Sequence, residues 1–335
     1  MWDKVLGHTE VKQFLARYLT REERPHALLF CGAEGLGKKK LALEFARSLL
    51  CFKHSDGDGC ESCRLMQLEE GNLSHPDFLL LQREEDPKTH RLKDISIDQV
   101  RELVSKSAFA SVLSSQKVCL VEDVDRMTEP AANSFLKLLE EPPTGWVFLL
   151  LATSPERLLP TILSRVVQLR LHRSPLDLVA GALQDKGLAE GEAKLLASLS
   201  EGSLGLAWQY HEQQALSRRQ EAYAFLEALP LEAPLCYLAG RDWLEKYERP
   251  EALLLVQLLQ LLFRDVLVCC CKADAALYNI DLQEELLQIS RGWSSKKLKL
   301  ALQVIQDTYV ALITNAGVKL AMENMALKID KICKE

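Results

Sequence analysis

The 335-residue sequence has no excess of positive charge: 41 Lys and Arg stand against 47 Asp and Glu, for a formal net charge of −6. That excludes a surface coated in basic residues, while leaving room for a local basic patch. There is no apolar leader, because the opening MWDKVLGHTEVKQFL is charged and amphipathic. Nor is there an uncharged apolar run of membrane length. The most apolar stretch, ALLLVQLLQLLF at 252–263, meets Arg264 and Asp265 after twelve residues. A span needs about 20, so the stretch predicts a buried helix. The absence of an H-E-x-x-H pair and of a G-x-S-x-G elbow removes two hydrolase signatures. No internal repeat or low-complexity segment is present. What remains is a globular composition, 48% hydrophobic and 26% charged. At ~150 residues per domain, the length predicts two or three domains. Ten cysteines without an export signal predict reduced thiols in a cytoplasm.

The first half alternates short apolar runs with helical patterns. ALLFC-G (27–32), FLLL (78–81), KVCLVED (117–123), WVFLLLATS (146–154) and VVQLRL (166–171) read as strands. KKKLALEFARSLLC (38–51), the segment after Ser96, PAANSFLKLLEE (130–141) and TILSR (161–165) read as helices. Ser96 and Gln99 in SIDQ form a capping box. Apolar strands separated by helices predict a parallel sheet covered on both faces. HRSP (172–175) reads as a linker, and everything beyond it as helix, rich in Leu and Ala.

GAEGLGKK (32–39) lies between a strand and a helix. Gly32, Gly37 and Lys38 match the phosphate-binding pattern G-x-x-x-x-G-K-[ST], and Gly35 adds flexibility. Such a loop aims backbone N–H groups at phosphate oxygens from a helix N-terminus. The last position departs from the pattern. Lys39 replaces the Ser or Thr whose hydroxyl would hold Mg²⁺, and an ammonium has no lone pair to offer. A second motif, VCLVEDVD (118–125), ends an apolar strand in acids, with Glu122 before Asp123. In P-loop ATPases an Asp here reaches the metal and a Glu orients water. With the order reversed, each carboxylate is one methylene out, and about 1 Å can cost 10²-fold in rate. Taken alone these are surface acids; taken with residues 32–39 they predict a decayed nucleotide site.

Together with FLKLLEEPP (135–143) and LLPTILSR (158–165), these motifs resemble the AAA+ subunits of the bacterial DNA polymerase III clamp loader. SHPD (74–77) and NAGVKLAMENMALKI (315–329) fit the same family, the latter as its last collar helix. The resemblance implies a RecA-like AAA+ α/β domain over 1–172, a helical lid over 173–211 and an all-α oligomerisation collar over 212–335. It separates a motor branch, gamma or tau, from a non-hydrolysing accessory branch. Lys39, the Glu122–Asp123 order, and Gly205 where motor subunits carry a sensor-2 arginine point to the accessory branch. The resemblance also implies that Arg165, in Ser164-Arg165-Val166, is an arginine finger acting on a neighbouring subunit's ATP. The implied partners are gamma/tau-type motor subunits, the delta subunit, the sliding clamp and, through the complex, primed DNA, with no membrane. An active motor-type ATPase and a stand-alone DNA-binding protein are the alternatives.

Cys51, Cys60 and Cys63 resemble the family's zinc module, C-x8-C-x2-C-x2-C, whose fourth position here is Met66. His54 is a candidate for a Cys₃His set; a second alignment makes Cys60 and Cys63 the last pair, with Gly57 in place of a cysteine. The plainer alternative is three unligated thiols. RGWSSKKLK (291–299) places Lys296, Lys297 and Lys299 near Trp293, which reads better as a helix start capped by Ser294 or Ser295 than as a DNA contact.

Overall fold

The computed structural model describes residues 2, 5–51, 60–67, 72–87, 92–107, 111–232, 247–314 and 316–335. Its chain divides into two compact units, Met1–Ser174 and Pro175–Glu335. The first begins with helix α1, Thr9–Thr20, which the sequence reading did not separate from the amphipathic opening. Strand β1, Ala27–Cys31, follows, then helix α2, Lys38–Leu50. A short helix α3, Glu61–Leu65, leads into a two-stranded antiparallel ribbon of β2, Met66–Gln67, and β3, Asn72–Leu73. The remaining elements alternate: β4 Phe78–Leu81, α4 Ile97–Ser107, β5 Lys117–Val121, α5 Glu129–Glu140, β6 Trp146–Ala152, α6 Pro160–Leu163 and β7 Val167–Arg170.

The five predicted strands form one parallel sheet in the order β4-β5-β6-β1-β7. The first strand is therefore interior, with Leu29 beside Leu150 on one side and Gln168 on the other. Because side chains alternate along a strand, β1 feeds two cores. Leu28 and Phe30 pack with Leu15, Tyr18, Leu41 and Phe45 of α1 and α2. Ala27, Leu29 and Cys31 pack with Phe135 and Leu138 of α5 and with Phe148. Every residue of β1, β5 and β6 is buried, which explains why their sequences are continuous apolar runs.

Two local features anchor the connections. The capping box at α4 is present: the Ser96 N–H donates to Gln99 Oε1 at 3.0 Å, and the Gln99 N–H to Ser96 Oγ at 3.4 Å. Ahead of β4, the fully buried Asp77 carboxylate accepts the backbone N–H groups of Val112, Leu113 and Ser114 at 2.7, 2.8 and 2.7 Å. His75 Nδ1 accepts the Asp77 N–H at 3.0 Å, so Nε2 carries the proton and donates to Ser62 Oγ at 2.8 Å. The SHPD segment thus ties α3, β4 and the 112–114 loop together.

The second unit is helical. Helix Arg249–Cys271 is the one described helix long and apolar enough to cross a membrane. It is a core helix here: Leu255, Leu258, Leu259, Leu262 and Phe263 are buried, as is Asp265, which accepts the Tyr278 and Asn279 N–H groups at 3.0 and 2.7 Å. Ser294 caps helix Ser295–Ile313, accepting the Lys297 N–H at 3.3 Å. Trp293 is buried edge-on against Phe263, and Lys297 Nζ donates to Cys333 O at 2.9 Å. These contacts agree with the capped helix start predicted for this basic segment.

Burial raises the pKa of Asp77, but the three backbone donors and His75 outweigh it, so the folded value lies below the ordinary 3.8. A depressed carboxylate stabilises the fold above its unfolded pKa, and that contribution is lost as pH falls through the folded pKa. Asp77→Asn is expected to cost about 2–3 kcal/mol at neutral pH, because a buried acceptor set is left incomplete. In urea unfolding, the gap between wild type and variant should narrow below about pH 4.

Candidate functional site

All the predicted nucleotide-site residues leave the sheet at the carboxyl ends of its strands. Gly32 follows β1, and Glu122 and Asp123 follow β5. In an open parallel sheet this edge is where ligands bind, at the point where strand order reverses. That point lies beside β1, which is flanked by the sixth and seventh strands of the chain.

The loop's glycines are conformationally necessary. Gly35 and Gly37 have φ of 75° and 82°, and Gly32 has 148°. A Cβ on Gly32 would also lie 2.6 Å from the Leu171 carbonyl oxygen, a backbone atom that cannot move aside. His8 steadies the loop from below, its Nε2 lying 2.9 Å from Leu36 O. Burial pulls the His8 pKa down; the Leu36 acceptor opposes this, while Lys12 and His172 add to it. Sequence reasoning missed His8, which precedes α1 with nothing in its neighbours to mark it.

The two lysines have separate tasks. Lys38 folds back on its own loop and donates to Gly32 O and Ala33 O, both at 2.7 Å. Burial lowers its pKa, against the opposing charges of Glu34, Asp125 and Asp123. Lys39 reaches across to the second motif, its Nζ 2.7 Å from Glu122 Oε1. Asp123, in a left-handed conformation at φ 49°, lies 3.9 Å from Arg83 Nη1. Arg83 is itself held by Leu92 O at 2.6 Å and Lys93 O at 3.0 Å. Each acid of the motif therefore faces a cation from the same chain. Arg83 was also missed, since only the sheet brings it beside Asp123. Asp125 accepts the Ser154 N–H at 3.0 Å, linking the ends of β5 and β6.

Arg165 stands just beyond α6, with Nη1 donating to Thr161 O at 2.9 Å and Nη2 2.8 Å from Glu140 Oε1 at the end of α5. Gly205 is exposed on the first turn of helix Leu204–Glu212 in the second unit.

The three cysteines converge. Cys51 ends α2, Cys60 caps α3 and Cys63 lies within it. Their sulfurs lie within 4.8 Å of one another, with Cys51–Cys60 at 3.7 Å and Cys60–Cys63 at 3.4 Å. A disulfide would need about 2.05 Å. Tetrahedral thiolates about 2.3 Å from Zn²⁺ lie about 3.8 Å apart, so the donor set fits that ion. Burial and the two neighbouring thiols push the Cys63 pKa up to about 12, as expected for clustered sulfurs without a cation. Met66 is buried in the sheet core beneath the α1–α2 layer, and His75 is engaged with Ser62. His54 lies outside the described residues.

Known proteins resemble this chain along most of its length. The family model for the DNA polymerase III delta subunit matches residues 7–175. DNA polymerase III subunit delta' of Pseudomonas aeruginosa is 39% identical over 205 residues, 60% of this chain and 60% of that protein. The Bacillus subtilis subunit of the same name is 26% identical over 324 residues, 96% of this chain and 95% of that one. Among solved structures, a DNA polymerase III gamma subunit-related protein of Thermotoga maritima superposes with a TM-score of 0.51 at 20% identity, covering 96% of this chain and 99% of that one. This last likeness is one of fold, the AAA+ arrangement of a five-stranded parallel sheet followed by helices.

The crowding at Gly32 makes Gly32→Ala a sharp test of the loop. It should cost upward of ~1 kcal/mol, since neither φ nor space admits a methyl group. For a unit of this size that lowers Tm by about 2–4 °C or more, read by calorimetry.

Proposed function

The chain belongs to the DNA polymerase III delta' family, and from that premise we propose that it is a clamp-loader subunit that hydrolyses no ATP and serves its neighbour's site. The observation that carries the reading is the ion pairing of residues 122–123 within the chain. In a working P-loop site those carboxylates face Mg²⁺ and the attacking water. Here Glu122 faces the Lys39 ammonium at 2.7 Å and Asp123 faces Arg83 at 3.9 Å. A resident ammonium repels a divalent ion at close range, and Lys39 offers it no ligand atom. Lys38, bonded to two loop carbonyls, must break both contacts before it can reach a phosphate.

The remaining surface gives such a subunit its task. Arg165 projects from the loop after α6, with its guanidinium partly exposed. Presented across an interface to a terminal phosphate, it stabilises charge that develops on phosphoryl transfer, an effect worth about 10³–10⁵ in GTPases. In this reading the helices of the second unit form the collar that joins this chain to gamma/tau-type motor subunits and delta. The assembly opens or places the sliding clamp on primed DNA in the cytoplasm. Cys51, Cys60 and Cys63 would supply three thiolate ligands to a structural zinc. Held there, such an ion would join the end of α2 to α3 and would supply no chemistry to the phosphate loop at the other end of α2.

Three measurements test this. The purified chain should release no phosphate from ATP, with or without Mg²⁺, while Arg165→Ala in the reconstituted complex should lower DNA-stimulated ATPase at least tenfold. Mg²⁺-dependent turnover by the chain alone would overturn the reading. Elemental analysis of the purified chain should find one zinc per molecule, and Cys60→Ser should abolish it.

A further inference from the structure

Arg165 is bound at both ends of its guanidinium. Nη1 donates to Thr161 O at 2.9 Å and lies 3.3 Å from Ser164 Oγ; Nη2 pairs with Glu140 Oε1 at 2.8 Å. Thr161 and Ser164 are local, within the turn that carries the arginine. Glu140 comes from a different element, the last residue of α5. A carboxylate there sits at the negative end of a helix dipole, where a nearby cation is favourable. The Pro142-Pro143 pair stops the helix immediately afterwards, so Glu140 is fixed on the final turn.

We propose that Glu140 is a positioning residue that holds the Arg165 guanidinium against the chain's own surface until a terminal phosphate in the neighbouring site competes it away. The inference rests on the finger reading and adds its regulation. The pair suits an exchange because it is weak and half open: the side chains of Arg165 and Glu140 are 35% and 46% exposed. Exposed pairs contribute little, and water and salt compete with them. A terminal phosphate carries more charge than a carboxylate and accepts paired N–H donors from the same guanidinium fork. It therefore displaces Glu140, whereas a diphosphate, which lacks that group, leaves the stowed pair intact. Glu140 then makes engagement of this subunit depend on the neighbour's nucleotide, although this chain turns none over.

The test is the affinity of the full chain for an ATP-binding motor subunit loaded with a non-hydrolysable triphosphate analogue or with ADP, by calorimetry. Glu140→Gln removes the charge and keeps the shape, and should leave Tm unchanged. It should tighten binding about two- to five-fold with the triphosphate, have no effect with ADP, and lose its effect in an Arg165→Ala background. Arg165→Ala alone should weaken the triphosphate complex. If Arg165→Ala weakens it and Glu140→Gln does not tighten it, the stowing role is overturned and the finger stands. If Arg165→Ala changes nothing with either nucleotide, both fall together. Tightening by Glu140→Gln that persists with ADP also overturns the proposal, because the gain is then unrelated to the phosphate.

Discussion

Five parallel strands all point the same way, and that constraint places every group at the nucleotide edge. Parallel pairing sets Cys31 beside Ala152 and Val121 beside Leu150, so β1 and β6 end level, β5 ends two residues earlier, and all three release the chain at the same edge of the sheet. The phosphate loop, the two acids and Ser154 are neighbours for that reason alone. The register is held by burial on both faces, where a slip of one residue would exchange the Leu28–Phe30 face with the Ala27–Leu29–Cys31 face. The geometry of the site is thus a by-product of the core.

On that scaffold the two acids of the second motif are paired with cations of the same chain. A catalytic P-loop site leaves two carboxylates unpaired by protein so that a metal and a water can use them. Lys39 and Arg83 occupy both roles with cations that belong to the chain.

The thiol cluster works by the same economy of position. The end of α2 and the start of α3 bring three sulfurs to metal-binding separation. The cluster forms a small core of its own, set apart from the phosphate loop at the other end of α2. A second local tie in this unit is Asp77, which secures the 112–114 loop by charge-assisted bonds.

The order of strands and helices in the first unit was legible because it is written in local terms. Apolar runs, glycine punctuation and the Ser96–Gln99 box each act over a few residues. The same holds for the phosphate loop, the misplaced lysine, the acidic pair, the candidate finger and the cysteine spacing. Helix α1 escaped because its apolar face is narrow, with Val11, Leu15 and Tyr18 the buried positions. What the tertiary structure alone decided are the pairings: Lys39 with Glu122, Arg83 with Asp123, Arg165 with Glu140, and Asp77 with the 112–114 backbone. The residue types at these positions were visible in the chain. Their partners were not, because an ion pair depends on distance in space, and the crossovers of a parallel sheet bring together residues that no sequence period relates.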